Sequence, residues 1–308
     1  MVNSQTPAEV TIDEALVRAL LRAQCPDIHG VATDSLSLAP FSNGWDNDIW
    51  SFGYPAAGQS WLVRLPRRSA AAALIENEQK WLPLLATRLS LPVPVPVFAG
   101  APGQGFPWCW SVVQWFPGEV AARSMLSDQQ AEAARLAGFL RALHAAAPAE
   151  APVNQFRGLP VADIAPKYGA RRDRLYARLD GEDRDVAALD RVMELGLGAP
   201  VHAGSPVMLH GDMHSGNVLV DHGALSAVVD WGDVCAGDPA CDLQIAWMLF
   251  DAPARDVFFG TYGEGQAGLW ERARAWAVHS ALMYLESDDG DALLTTMGNA
   301  ILDRVLRH

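Results

Sequence analysis

The chain has 308 residues, half of them hydrophobic, and carries a formal net charge of −13. That length and apolar content suffice for a large core and for two lobes. The acidity argues against a nucleic-acid backbone or an anionic membrane surface as partner, since both would be repelled, and it leans towards cationic small molecules. The cysteines Cys25, Cys109, Cys235 and Cys241 show neither C-x-x-C spacing nor the density of a disulfide framework. No apolar run is long and charge-free enough to span a bilayer, so reduced thiols, a cytoplasmic setting and no membrane partner are expected.

The first predicted element is a helix at about Ile12 to Ala23. Alternating runs near Ile49 to Phe52 and Trp61 to Leu65 read as strands, with Gly and Pro between them. A helix is expected to start with Ser69 as its N-cap and to run through AAALIENEQKW until Pro83 breaks it. VPVPVF and WCWSVVQWF read as two further strands, separated by the turn-rich GAPGQGFP. Strands, a helix and more strands make residues 1–113 a small α+β lobe, followed by a short connector, 114–118, and a mainly helical lobe, 119–308. In that second part SDQQ, from Ser127 to Gln130, offers a capping box to the helix AEAARLAGFLRALHAA. Arg-rich and Asp-rich helices follow to about Leu195. A hairpin, VLV and ALSAVV around the turn Asp221-His222-Gly223, then precedes a helical tail whose aromatic residues are read mainly as core.

The stretch LHGDMHSGNVLV, Leu209 to Val220, carries the chemistry, and two readings of it compete: a metal site of His210, Asp212 and His214, or a phosphate-transfer site. His210, Asp212 and Asn217 have the spacing of the kinase catalytic loop, in which the aspartate accepts the proton of the attacking hydroxyl and the asparagine holds magnesium. VVDWGD puts Asp230 at the end of the second hairpin strand, so antiparallel pairing returns it towards Asn217. One amide carbonyl and one carboxylate suit Mg²⁺ bound to phosphate, whereas the His-Asp-His reading leaves Asn217 and Asp230 without a role.

Positive charge for the phosphates is expected from the β-rich lobe. Alternation in WLVRL sets Arg64 opposite Trp61, Val63 and Leu65. Helical phase puts Glu78 on the face of Leu74, Trp81 and Leu82, so an Arg64–Glu78 ion pair is expected. The loop SNGWDN, with Ser42 and Gly44, is the candidate phosphate-covering turn. Asp238 and Asp242, in GDPACDL, are expected to cap a helix or brace the catalytic loop.

With HGDMHSGN, VVDWGD and GDPACDL in this order, the sequence resembles the aminoglycoside phosphotransferase family. WLVRLPRR, IENEQKWL, LPVPVPVFAG and WSVVQWFPGE look like its macrolide phosphotransferase-like bacterial branch. The resemblance spans about Leu36 to Phe250 and implies a two-lobed, protein-kinase-like α+β fold. It also implies Asp212 as catalytic base, Asn217 and Asp230 as magnesium ligands, and Gln114, Trp115 and Phe116 as a hinge bordering the nucleotide base. The implied reaction carries the γ-phosphate of ATP or GTP to a hydroxyl of an aminoglycoside or macrolide. Arg64 stands where many kinases have lysine, and a guanidinium fork is not a point charge. The substrate-binding helices match no acceptor motif. A kinase of another hydroxylated metabolite, and a nucleotide-binding protein without transferase activity, are therefore the alternatives.

Overall fold

In the computed structural model, which describes residues 7–43, 46–54, 59–181, 184–263, 267–287 and 292–307, the backbone divides into two units. The first is Met1–Thr87 with Val93–Phe116, the second Arg88–Pro92 with Pro117–His308.

The first unit opens with helix α1 (Glu14–Gln24), started by Asp13, whose carboxylate accepts the Leu16 N–H at 2.8 Å. The two-residue strands β1 (Asp27–Ile28) and β2 (Val31–Ala32) pair next. Five antiparallel strands follow: β3 (Ser37–Asn43), β4 (Asn47–Tyr54), β5 (Gln59–Pro66), β6 (Pro96–Gly100) and β7 (Trp110–Gln114), ordered β3-β4-β5-β7-β6 across the sheet. Between β5 and β6 the chain forms α2 (Ser69–Leu85). Alternation along β5 works as the sequence predicts. Trp61, Val63 and Leu65 join Val17, Leu20 and Leu21 of α1 in one core, and Arg64 turns to α2.

Helix α2 departs from expectation at both ends. Arg68 is the N-cap, without a side-chain cap bond, because the Ser69 N–H and hydroxyl are taken by the Glu9 carboxylate at 3.0 and 3.1 Å. Pro83 lies inside the helix and does not end it. It has no N–H to give the Gln79 carbonyl, and the helix ends two residues later at Leu85.

The second unit contains β8 (Glu119–Val120), α3 (Gln129–Leu143), α4 (Val161–Gly181), α5 (Val186–Gly198), β9 (Val207–Leu209), β10 (Val218–Asp221), β11 (Ala224–Val228), β12 (Cys235–Gly237), α6 (Ala240–Leu243), α7 (Ile245–Leu249), α8 (Ala252–Tyr262), α9 (Leu269–Glu286) and α10 (Ala292–Leu306). One sheet is ordered β11-β10-β8, and β12 pairs with β9. The expected capping box is shifted by one residue. Asp128 caps α3 through the Ala131 N–H at 3.0 Å, while the Ser127 N–H is used by Gly223 O at 2.9 Å. The β10–β11 turn has positive φ at both His222 (48°) and Gly223 (78°), the conformation of a two-residue hairpin turn.

Helix α9 is buried along most of its length and packs against α4, α5, α6 and α10. Two of its inward polar groups are paired: Arg272 Nε lies 2.7 Å from Asp238 Oδ2, and the Ser280 hydroxyl donates to Gln244 Oε1 at 2.6 Å. Among the described residues no helix is long and apolar enough to cross a membrane.

The tightest approach in the first unit lies between β6 and β7. A Cβ on Gly100 would stand 2.1 Å from the Trp110 indole, which is fully buried. Gly100→Ala should therefore destabilise the protein by about 1–3 kcal/mol, the usual cost of overpacking. Denaturant unfolding checks this, and a control at the open Gly138, which has no neighbour within 4 Å of an added Cβ, should show no such loss.

Candidate active site

The polar run sits on the loop between β9 and β10. The loop begins at Gly211, where φ is 86° and a Cβ would lie 2.2 Å from Asp233 O, so only glycine fits. Asp242 of α6, with no solvent exposure, accepts the N–H of His210 at 2.7 Å and of Gly211 at 3.0 Å. Its Oδ2 also meets His144 Nε2 at 3.2 Å, and His144 Nδ1 lies 2.9 Å from the Tyr262 hydroxyl. Asp242 thus braces the loop, as expected, and Asp238, one residue before the N-cap Pro239, accepts the Ala240 N–H at the start of α6 at 3.0 Å.

The tautomers of the loop histidines follow from their partners. His210 Nδ1 accepts from the Asp212 N–H at 3.3 Å, so its Nε2 carries the proton and donates to Val229 O at 3.0 Å. Both ring nitrogens of His210 are thereby spent on the backbone, and neither has a lone pair for a metal. His214 Nδ1 accepts from the Gly216 N–H at 2.9 Å, which leaves Nε2–H facing Asp212 Oδ2 at 3.4 Å. Among the described residues no group of three His, Cys, Asp or Glu side chains could hold a metal ion. The loop geometry therefore does not support the His210–Asp212–His214 metal reading.

Asp212 is held from both sides. Arg157 Nη2 lies 2.6 Å from its Oδ1, and the same guanidinium places Nε 3.4 Å from Asp233 Oδ2, while Asn154 Nδ2 donates to Asp233 Oδ1 at 2.7 Å. Burial would raise the Asp212 carboxyl, but His214 and Arg157 beside it outweigh that and hold it well below the ordinary carboxylate range. Asn217 Nδ2 donates to Asp212 O at 3.0 Å, which commits the amide nitrogen and leaves Oδ1 as its acceptor end.

The hairpin register brings Asp230 back as expected. Val218 pairs with Val228, and the Val229 N–H donates to Asn217 O at 2.9 Å, one residue before Asp230. Asp230 itself is exposed and left-handed, with φ 62°, a conformation that costs a non-glycine residue roughly 1–2 kcal/mol. An exposed carboxylate and an amide oxygen with its nitrogen anchored are a donor set that fits Mg²⁺.

In the first unit the expected ion pair is present and buried. Arg64 Nη1 lies 2.6 and 2.5 Å from the two oxygens of Glu78, which has no exposure, and Glu76 is exposed. Ser42 is exposed in β3, opposite Ile49, while Gly44 lies outside the described residues. Gln114 and Trp115 are exposed at the end of β7, Phe116 is half-buried, and the Trp115 N–H donates to Ser60 O at 3.1 Å. Sequence reasoning missed Arg157, Asn154, Asp233 and His144. The only available signals were the lone arginine in the turn-rich NQFRGLP and the second aspartate of VVDWGD, both too generic in type to assign.

Residues 37–276 match the phosphotransferase enzyme family. No curated protein gives a sequence match. Among solved structures, the chain is similar to APH(2")-IIia in its GDP and kanamycin complex, at 20% identity and TM-score 0.65, covering 94% of this chain and 97% of that one. It is also similar to the macrolide 2'-phosphotransferase MphH of Brachybacterium faecium, at 22% identity and TM-score 0.59 over 94% and 98% of the two chains. Macrolide 2'-phosphotransferase type I gives 21% identity and TM-score 0.56 over 97% and 99%. These likenesses show a shared fold, mixed α+β with a β-sheet N-terminal unit and a helical C-terminal one.

The Asp212 carboxyl, held low in the folded protein, contributes stability that is present above the unfolded carboxylate value of about 4 and lost as pH falls further. Arg157→Met removes one of the two groups that hold it down. The Asp212 titration, followed by carboxyl ¹³C NMR, should then move up by roughly 1–3 pH units.

Proposed function

The chain belongs to the phosphotransferase enzyme family, and from that premise we propose that it transfers the γ-phosphate of ATP or GTP to a hydroxyl of a small molecule, with Asp212 receiving the hydroxyl proton. The observation that carries this reading is the lock between Asn217 and Asp212, closed at 3.0 Å on a loop whose hairpin returns Asp230 beside it. No other reading gives all three residues a task.

The acceptor oxygen attacks the γ-phosphorus, the bond to the bridging oxygen breaks, the nucleoside diphosphate leaves, and the hydroxyl proton passes to Asp212. A carboxylate held by Arg157 and His214 is a weak base but a well-oriented one. That suits a loose transition state in which positioning outweighs early proton removal. Asn217 Oδ1 and Asp230 would hold magnesium, which when bound supplies positive charge to the phosphate oxygens. In the first unit Arg64, fixed by Glu78, is assigned to the nucleotide phosphates together with Ser42 and Gly44, and Gln114, Trp115 and Phe116 to the base. Arg64 Nη1 is anchored by both Glu78 oxygens, a charge-assisted contact that supports arginine in a position that many kinases give to lysine. The step at Asp212 is the same for an aminoglycoside, a macrolide or another hydroxylated metabolite, so the acceptor must be read from the walls around Asp212.

Asp212→Asn should keep the fold and the affinity for Mg-nucleotide while single-turnover transfer falls by about 10²- to 10⁴-fold, the worth of a positioned base. His214→Ala should cost much less, because it removes only one of the two groups that orient the carboxylate. Hydroxylated acceptors screened with ATP and GTP, and read by the mass gain of one phosphoryl group, supply the assay. A near-normal Asp212→Asn rate would remove this residue from the chemistry.

Asp230→Ala should abolish most magnesium-dependent nucleotide binding, measured by calorimetry on protein of verified fold. Unchanged affinity in that variant would take Asp230 out of the site.

A further inference from the structure

Next to Asp212 the second unit has a cavity of about 200 Å³ lined by three cationic side chains, Arg157, Lys167 and Arg171, with the apolar Phe156, Ile164 and Met283. Arg157 and Phe156 form one side, Lys167 and Arg171 of α4 a second, and His279 of α9 a third. The guanidinium that lines this cavity is the one that touches Asp212 at 2.6 Å, so cavity and carboxylate are a single side chain apart. The one lining carboxylate, Asp233, is already engaged at both oxygens, by Asn154 at 2.7 Å and Arg157 at 3.4 Å. Arg171 gives its Nε to Glu286 at 3.1 Å. The exposed Lys167 ammonium, 4.9 Å from the Phe156 ring centroid, has no carboxylate partner among the described residues.

His279 is held neutral beside these cations. It is only 6% exposed, and Arg171 Nη1 stands 3.5 Å from its Nε2. A guanidinium can only donate, so Nε2 is the accepting nitrogen and the ring proton sits on Nδ1. That Nδ1 is buried without a hydrogen-bond partner, although a buried donor left unmade costs about 1–3 kcal/mol. Burial and the charges of Arg171, Lys167 and Arg157 push the ring down to about 3, so it stays neutral at physiological pH and remains a single donor. Three cationic side chains, Arg157, Lys167 and Arg171, thus line one cavity beside Asp212.

We propose that the acceptor is a small hydroxylated molecule bearing an anionic group, a carboxylate or a phosphate monoester, which sits against Lys167 and Arg171 while its hydroxyl faces Asp212. A polycationic acceptor such as an aminoglycoside would meet like charge here. This inference rests on the phosphotransferase reading of Asp212 and names the acceptor class for that site. The short reach from cavity to carboxylate requires the anionic group and the reacting hydroxyl to lie a few bonds apart.

The test uses matched pairs on the full chain: ribose 5-phosphate against ribose, gluconate against glucose, and kanamycin as the cationic probe. Calorimetry without nucleotide reads binding, and transfer from Mg-ATP or Mg-GTP reads turnover. Charged members should bind and turn over at least tenfold better than their neutral mates, with the two pairs separating phosphate from carboxylate recognition. Lys167→Glu, at an exposed position that does not threaten folding, should erase that preference by roughly 10- to 100-fold, the worth of a charge-assisted contact. Arg191→Gln, a charge change on exposed α5, should leave it intact. Equal binding of neutral mates, stronger turnover of kanamycin, or a preference indifferent to Lys167→Glu would overturn the proposal. The reading of Asp212 fails separately, on the nucleotide side, in a protein that binds neither Mg-ATP nor Mg-GTP.

Discussion

One buried carboxylate stands in for regular structure beneath the reactive loop. Asp242 accepts two consecutive backbone N–H groups, from His210 and Gly211, and a third contact from His144, with no exposure to bulk solvent. A charged acceptor in a dry setting holds such donors more tightly than a neutral one, and its loss would strand all of them. The support continues downward. Asp242 belongs to α6, Asp238 accepts the N–H of its first residue, Ala240, and Asp238 is paired with Arg272 of α9, a helix buried along most of its length. The position of Asp212 is therefore inherited from a chain of ionic contacts that ends in the hydrophobic core.

Arg157 is the counterpart of that brace on the solvent side. It is shared between Asp212 and Asp233, which fixes the carboxylate without hydrogen-bonding every lone pair of it. The same side chain begins a positively lined cavity in a chain whose net charge is −13. The two facts do not conflict. Charges beyond a Debye length of about 8–10 Å are screened, so the groups in contact with a ligand, not the sum over the surface, decide what it feels. The lean towards cationic ligands drawn from net charge is outweighed at this site by Arg157, Lys167 and Arg171.

What the sequence made legible was whatever depended on short periods. The spacing from His210 to Asn217 lies within one loop, and strand period two with helix period 3.6 was enough to bring Arg64 to Glu78. Competition between neighbours of similar type was not legible. Ser127 and Asp128 are both good caps, and the choice fell to Asp128 because the Ser127 backbone was claimed by Gly223, a contact made only once the hairpin has formed. Ser69 lost its role at the start of α2 to Glu9 for the same reason. Arg157, Lys167, Arg171 and His279 come from a turn and two helices distant in sequence, so their convergence follows from tertiary packing alone.

The backbone at Asp230 has a meaning beyond ligand placement. Glycine or asparagine would sit in its left-handed conformation with less strain, so the chain forgoes stability at this position by keeping a carboxylate there. Selection for thermal robustness and selection for turnover consequently pull in opposite directions on a single codon. On the proposed reading of Asp230 as a metal ligand, a lineage released from the need for activity would let drift run downhill at this residue.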